Sequence, residues 1–398
     1  MSRSSNRPPV EKFQFPNSSK LWHDCAGLTK AIGCQGCAYR SECGGLHIGP
    51  VAFDCLTFCR CEDPSICDNV CPRNIEHFVA RWQEVSGFGL ENVAPTPPLA
   101  LPELPAVVPM IYHSSARGRS PRVPVVALSL YELLNKANGT LRFQSREALL
   151  EHFTLGPDTR LILSGTETDP LLERWWQIAD REGLVRGLAA LGVTMITTPN
   201  YSLFDDVART DNLFNMKRIA MIWSEIQREG MPCALHLNAR TDRDWERWLD
   251  FLLARPEVAH VAFEFATGAG SKLRMPWHID QLCNLARRVD RPLHLLVRGG
   301  LKELSRLRSA FAAVTLVDTS AFMKAQKRQR AIVDGAGLSW QRAPTPAGQT
   351  IDDLLDTNIE AVVRLGTAPP LLPSLCRPEP ARHAGDEPLQ VNLLTHAR

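Results

Sequence analysis

Between residues 106 and 318, short apolar runs rich in β-branched residues alternate with longer stretches of helical period, and this alternation restricts the chain to few folds. The runs cover 106–112, 123–130, 160–165, 193–199, 232–238, 258–265, 292–298 and 313–318. Helices are expected at 170–190, 212–229, 242–254, 276–289 and 301–311. Strands that are almost continuously apolar are buried on both faces, as in a parallel sheet between helix layers. Units spaced this closely predict an α/β fold of the (β/α)8, TIM-like barrel type, incomplete or distorted, with a doubly wound open sheet as the alternative. The first unit is the irregular one. Only HSSARGRSPR separates the first two runs, too short for a crossover helix, so one of them is expected to be a hairpin or a barrel cap. No G-x-G-x-x-G follows a strand and no G-x4-G-K-S/T occurs, so common nucleotide cofactors have no fingerprint here.

Ahead of this pattern lies a stretch with a different chemistry. Nine of the 12 cysteines fall between Cys25 and Cys71. Cys25, Cys34, Cys37 and Cys43 precede His47, with C-x2-C-x5-C spacing over the last three cysteines; Cys55, Cys59, Cys61, Cys67 and Cys71 follow. Such a segment, nearly free of apolar periodicity, cannot bury a core of its own, so metal coordination is expected to fold it. A disulfide framework would require export, yet MSRSSNRPPVEKFQF has no apolar core of a signal peptide. Four thiolates suit zinc and an iron-sulfur cube alike. The C-x3-C-P ending and the absence of two paired C-x2-C knuckles favour one or more iron-sulfur clusters of the 4Fe-4S kind, with zinc as the alternative. Cys233 and Cys283 sit in apolar surroundings and read as small core residues.

These patterns divide the chain into a flexible N-terminus (1–20), a cysteine-rich metal module (21–90), a Pro-rich linker (91–109), the barrel domain (110–342) and a Pro-rich C-terminal appendage (343–398) with one helix near 350–364. Net charge is only +2, so no global field draws the protein to nucleic acid or an anionic membrane. No apolar run approaches the roughly 18 residues of a membrane span, and a cytoplasmic protein with no membrane partner is expected.

A barrel keeps its chemistry at the C-terminal ends of its strands. There the sequence places Asn200, His236, Asn238, Glu264 and Asp318 as candidate catalytic groups. Asp205 and Asp206 join them from the unusually long loop TTPNYSLFDDVARTDN. Arg209 and Arg298, with Gly299 and Gly300, are candidates for holding an anionic or phosphate-bearing substrate. Glu264 follows three apolar residues in V-A-F-E-F, where desolvation would raise its pKa unless Arg298 pairs with it. Each residue also has a structural reading: Ser164, Thr166, Asp169, Thr241 and Ser320 suit helix N-caps.

The C-x2-C-x5-C-G-G-L segment, the linker, T-P-N-Y-S-L-F-D-D followed by R-T-D-N, and then H-L-N-A resemble an uncharacterised bacterial and mobile-element family with a domain of unknown function. The resemblance implies the two-part architecture and carries over no catalytic residue. The function expected from the residues is a metal-cluster barrel enzyme, transglycosylase- or lyase-like. Its acid-base chemistry would act on a nucleobase, nucleoside or other phosphate-bearing substrate, small or within nucleic acid. Two alternatives are a radical S-adenosylmethionine-like enzyme, for which C55-x3-C59-x-C61 is one residue short, and a non-catalytic nucleic-acid-binding protein using the basic helix K-A-Q-K-R-Q-R at 324–330.

Overall fold

The computed structural model describes residues 81–100, 102–135, 138–204, 209–272, 274–335 and 337–367, and, by backbone alone, the two-residue antiparallel strands His47–Ile48 and Val51–Ala52. The nine clustered cysteines lie outside the described residues, as do Asp205 and Asp206. For His47 and Arg209 only the backbone is described.

Eight parallel strands form the barrel: β1 (Val107–Pro109), β2 (Val125–Ser129), β3 (Arg160–Ser164), β4 (Val193–Thr197), β5 (Cys233–His236), β6 (His260–Glu264), β7 (His294–Arg298) and β8 (Ala313–Asp318). Hydrogen bonding runs from β2 in sequence order to β8, and β8 then pairs with β1. A parallel bridge between Met110 and Ala127, with Ile111 N–H donating to the Ala127 carbonyl at 2.9 Å, brings β1 onto β2 and closes the ring. Val108, Met110, Val125, Ala127, Ile162, Met195, Ala234, Ala262, Leu296 and Val317 fill its interior. Alternate residues such as Leu161, Val261 and Leu295 face the helices, so both strand faces are buried, as the apolar runs require.

The outer layer contains α1 (Arg146–His152), α2 (Asp169–Gln177), α3 (Arg181–Ala190), α4 (Arg209–Arg228), α5 (Asp242–Ala254), α6 (Met275–Val289), α7 (Leu304–Arg308), α8 (Ser320–Gln326) and α9 (Asp352–Thr367). The helix expected at 170–190 is two, α2 and α3. A hairpin β9 (Gln329–Asp334) and β10 (Gly337–Arg342) precedes α9. This hairpin splits the basic run at 324–330: Lys324 lies on α8, Arg328 turns with φ +53°, and Arg330 belongs to β9. No single basic helix face exists there.

The first unit is distorted in a way the sequence did not foretell. Neither of the first two strands is a hairpin or cap; they are parallel neighbours joined by a helix-free loop. The place of the missing helix is taken by α9, from the segment expected to be an appendage. Asp352 accepts from Gly118 N–H at 2.8 Å, Asp356 accepts from Arg122 N–H at 3.1 Å and pairs with Arg119 at 2.6 Å, and Gly366 lies so close to Val107 that a Cβ would collide with it. Acidic side chains at the start of α9 thus satisfy backbone donors of a loop that has no helix of its own.

The linker expectation also changes. Residues 84–96 are packed against the barrel, with Val85, Phe88, Leu90 and Val93 buried. Arg247 donates to the Phe88 carbonyl at 2.6 Å, Ser224 donates to Ala94 O at 2.8 Å, and Lys217, 1% exposed, reaches Gly89 O and Asn92 Oδ1. Of the linker expected at 91–109, the first residues are held in this way through Val93, Ala94 and Thr96; the buried residues before them fall in the span expected as the metal module.

Candidate active site

β6 and β7 share three inward-facing cross-strand pairs: His260 with His294, Ala262 with Leu296, and Glu264 with Arg298. The first lies where the strands enter the barrel and the last where they leave it. Glu264 Oε2 is 2.7 Å from Arg298 Nε, and its Oε1 accepts from Ala266 N–H at 2.6 Å. Burial raises the Glu264 pKa, while the Arg298 charge and hydrogen bonds from Ala266 and Thr166 oppose the rise.

Thr166 connects this carboxyl to β5. Its hydroxyl bonds to Glu264 and lies 3.3 Å from His236 Nε2. His236 Nδ1 is 2.6 Å from the Thr198 carbonyl, which can only accept, so the proton sits on Nδ1 and Nε2 keeps its lone pair. Burial holds the His236 pKa down at about 4, so the ring is neutral near pH 7. The single Thr166 hydroxyl proton can be donated either to the neutral His236 Nε2 or to the Glu264 carboxylate, so the one hydroxyl serves both neighbours in turn. The three groups form one hydrogen-bonded path across the floor of the barrel mouth.

Above that floor is a cavity of about 240 Å³. Asn200, His236, Asn238 and Glu264, all singled out by sequence, line it together with Thr166 and Ser202. Asn238 Nδ2 donates to Tyr201 O at 2.8 Å, which braces the β4–α4 loop. Four contributors were not legible as site residues. Glu167 lines the wall just past β3, and Arg240 and His278 line it from the end of the β5–α5 connection and from α6. The charges of Arg240 and Arg274 add to burial in holding His278 at about 3. Tyr112 stands just past β1, close enough to Arg298, Glu167, Glu264 and Asp318 for their charges to act on its hydroxyl, whose pKa burial raises. Its signal was the aromatic end of V-V-P-M-I-Y, hidden because the whole run reads as strand.

Three sequence expectations are corrected by geometry. Asp318, a candidate catalytic group, has a structural role: its Oδ1 accepts from Ser320 N–H and Oγ at 3.1 and 2.6 Å, and its Oδ2 from Ala321 N–H at 2.8 Å. It caps α8, the role expected of Ser320. Thr241 does cap α5 as expected, in a capping box with Asp244. Arg298, expected at an anionic substrate, is paired through Nε with Glu264. Gly299 and Gly300 have φ of +82° and +74°, and added Cβ atoms would lie 2.9 Å from Ala266 N and 3.0 Å from the Phe265 ring. They are glycines because the chain turns left-handed against β6, not because a phosphate approaches.

No protein-family model matches the chain, and no curated protein is similar to it. Solved structures similar to it include a protein described as a fructose-1,6-biphosphate aldolase from Coccidioides immitis (12% identity, 65% of this chain and 86% of that one, TM-score 0.35). Others are one described as a phosphonomutase from Burkholderia cenocepacia (15%, 62% and 96%, 0.33) and the tryptophan synthase alpha chain from Legionella pneumophila (11%, 66% and 93%, 0.34). These likenesses concern the fold alone. The expected metal-cluster enzyme of nucleobases or phosphate-bearing substrates, with its radical and nucleic-acid-binding alternatives, is withdrawn on the geometry of the barrel's own residues. Glu264 pairs with Arg298, Gly299 and Gly300 turn left-handed against Phe265 and Ala266, and the hairpin β9–β10 breaks up the basic run at 324–330. Among the described residues no three of His, Cys, Asp and Glu are grouped as a metal site requires, and no helix is long and apolar enough to cross a membrane.

Proposed function

We propose that the cavity binds a compact hydroxy- or keto-carboxylate and exchanges a proton on it, as a lyase or isomerase does. The observation that carries this reading is the path from Glu264 through Thr166 Oγ1 to His236 Nε2, bordering the cavity. Burial raises the Glu264 pKa, which suits the carboxyl to take and return a proton, and the fixed neutral imidazole orients the hydroxyl between them. Two features support a small carboxylate. The volume lies below the roughly 300–1,000 Å³ of ordinary ligand sites, and the Arg240 and Arg274 charges act on His278 at the wall.

The test is calorimetric titration of a panel of small 2-hydroxy- and 2-keto-acids, followed by NMR in deuterium oxide of any binder. Exchange of the proton next to the carbonyl, lost in Glu264→Gln with binding retained, is the expected result. Binding without exchange, or no binder in the panel, would remove the reading. For the cysteine array the proposal remains a bound metal, iron-sulfur or zinc, held by Cys25, Cys34, Cys37, Cys43, His47, Cys55, Cys59, Cys61, Cys67 and Cys71 in some subset.

A further inference from the structure

We propose that the acid held in the cavity carries a hydroxyl group besides its carboxylate, and that this hydroxyl donates to Asn200 Oδ1. The inference rests on the reading of the cavity as a small-carboxylate site and narrows it. Asn200 lines the cavity, yet its Oδ1 is shut off from solvent and meets no donor among the described residues. An amide oxygen so placed has given up its hydrogen bonds to water without replacing them, which folded proteins seldom leave uncompensated.

The backbone keeps Asn200 where it is. Its N–H donates to the Gly165 carbonyl at 3.2 Å, which also accepts from the Tyr131 hydroxyl at 3.1 Å, and Gly165 N–H donates to Thr197 Oγ1 at 2.9 Å. A Cβ on Gly165 would collide with the Thr197 and Thr198 carbonyls, so the ends of β3 and β4 are pressed together just where Asn200 leaves the sheet. The side chain cannot move off in search of a donor.

Its neighbours in the cavity wall do not supply one. Asn238 Nδ2 is turned to Tyr201 O at 2.8 Å, Ser202 Oγ donates to Asp169 at 2.6 Å, and Thr166 spends its proton on His236 or Glu264. What Asn238 and Ser202 leave for a ligand are oxygen lone pairs. This side of the cavity is therefore a wall of acceptors, and it suits a ligand that brings protons to it. An alcohol brings one; a ketone oxygen or a methylene brings none. An ammonium would bring several, but the charges of Arg240 and Arg274, which act on His278 in the same wall, oppose a cation.

Calorimetric titration of matched acids tests the inference: malate against 2-methoxysuccinate and succinate, lactate against 2-methoxypropionate and propionate, and 3-hydroxypyruvate against pyruvate. In at least one set the hydroxyl-bearing acid should bind about tenfold or more tighter than its partners, since these leave the sealed oxygen unpaired. Asn200→Leu and Asn200→Ala, each with the parent's melting temperature as the check on folding, should bring that ratio near one. A ratio near one in the parent, or one that both variants leave unchanged, would overturn the inference while the carboxylate site stands. Binding by no acid of any set would overturn both.

Discussion

Arg298 Nε stands 2.7 Å from Glu264 Oε2 across two parallel strands, inside the mouth of the barrel, with the two side chains 17% and 4% exposed. At this depth the pair is worth less for its own attraction than for what each charge would cost alone. Arg298→Met should therefore destabilise the protein by about 3–5 kcal/mol, while adding Glu264→Gln should recover much of that loss. Urea denaturation of the two variants decides the matter; equal stability of single and double variants would show that the pair is not coupled.

Acid should weaken the fold through its histidines. His236 has an ordinary pKa near 6.5 when unfolded and about 4 when folded, so between those values the unfolded chain binds more protons. The contribution of its neutral burial is complete above pH 6.5 and is lost as pH falls toward 4, by up to about 3 kcal/mol. His260, also near 4, acts in the same sense. Glu264 and Asp318 are raised in the folded state and act oppositely, stabilising acid pH relative to neutral. The effect is isolated by comparing His236→Gln with the parent: melting temperatures should differ less at pH 4.5 than at pH 7. A constant difference would count against the neutral, buried ring.

The barrel was legible because its strands are apolar on both faces, and the polar residues that end those runs placed His236 and Glu264 at strand ends. It could not show which strand-end carboxylate is structural. Glu264 and Asp318 both end β-branched or aromatic runs, and only the following residues distinguish them. Asp318 meets the free N–H groups of a helix starting two residues later, whereas Glu264 is followed by a loop and finds Arg298. Proline content drew attention to 91–109 and away from Val93, and from Val85 and Phe88 just before it, whose burial is set by helices more than 100 residues later. Long-range pairing of that kind leaves no local pattern.

If thiolates fold the cysteine array, Cys34→Ser with Cys37→Ser should lower bound metal, measured by mass spectrometry after anaerobic purification, and leave the barrel's cooperative melting in place. An absorption band near 400 nm, as iron and sulfide would give, distinguishes a cluster from zinc. Metal content equal to the parent's would end the coordination proposal.

The last expectation concerns α9. Its carboxylates Asp352 and Asp356 satisfy Gly118 and Arg122 N–H groups, Asn358 holds β9 by accepting from Ala331 N–H at 2.8 Å, and Leu354, Leu355, Ile359 and Val362 are buried. Each large apolar side chain so covered is worth about 1.5–3 kcal/mol relative to exposure, and four of them together match the whole stability of an ordinary domain. A chain ending at residue 345 should therefore fail to fold cooperatively, while one ending at 368 should melt close to the parent. Circular dichroism melts of the two truncations make the comparison. A folded 345-residue chain would show that the loop after β1 needs no covering helix, and that α9 is the appendage its proline-rich surroundings suggest.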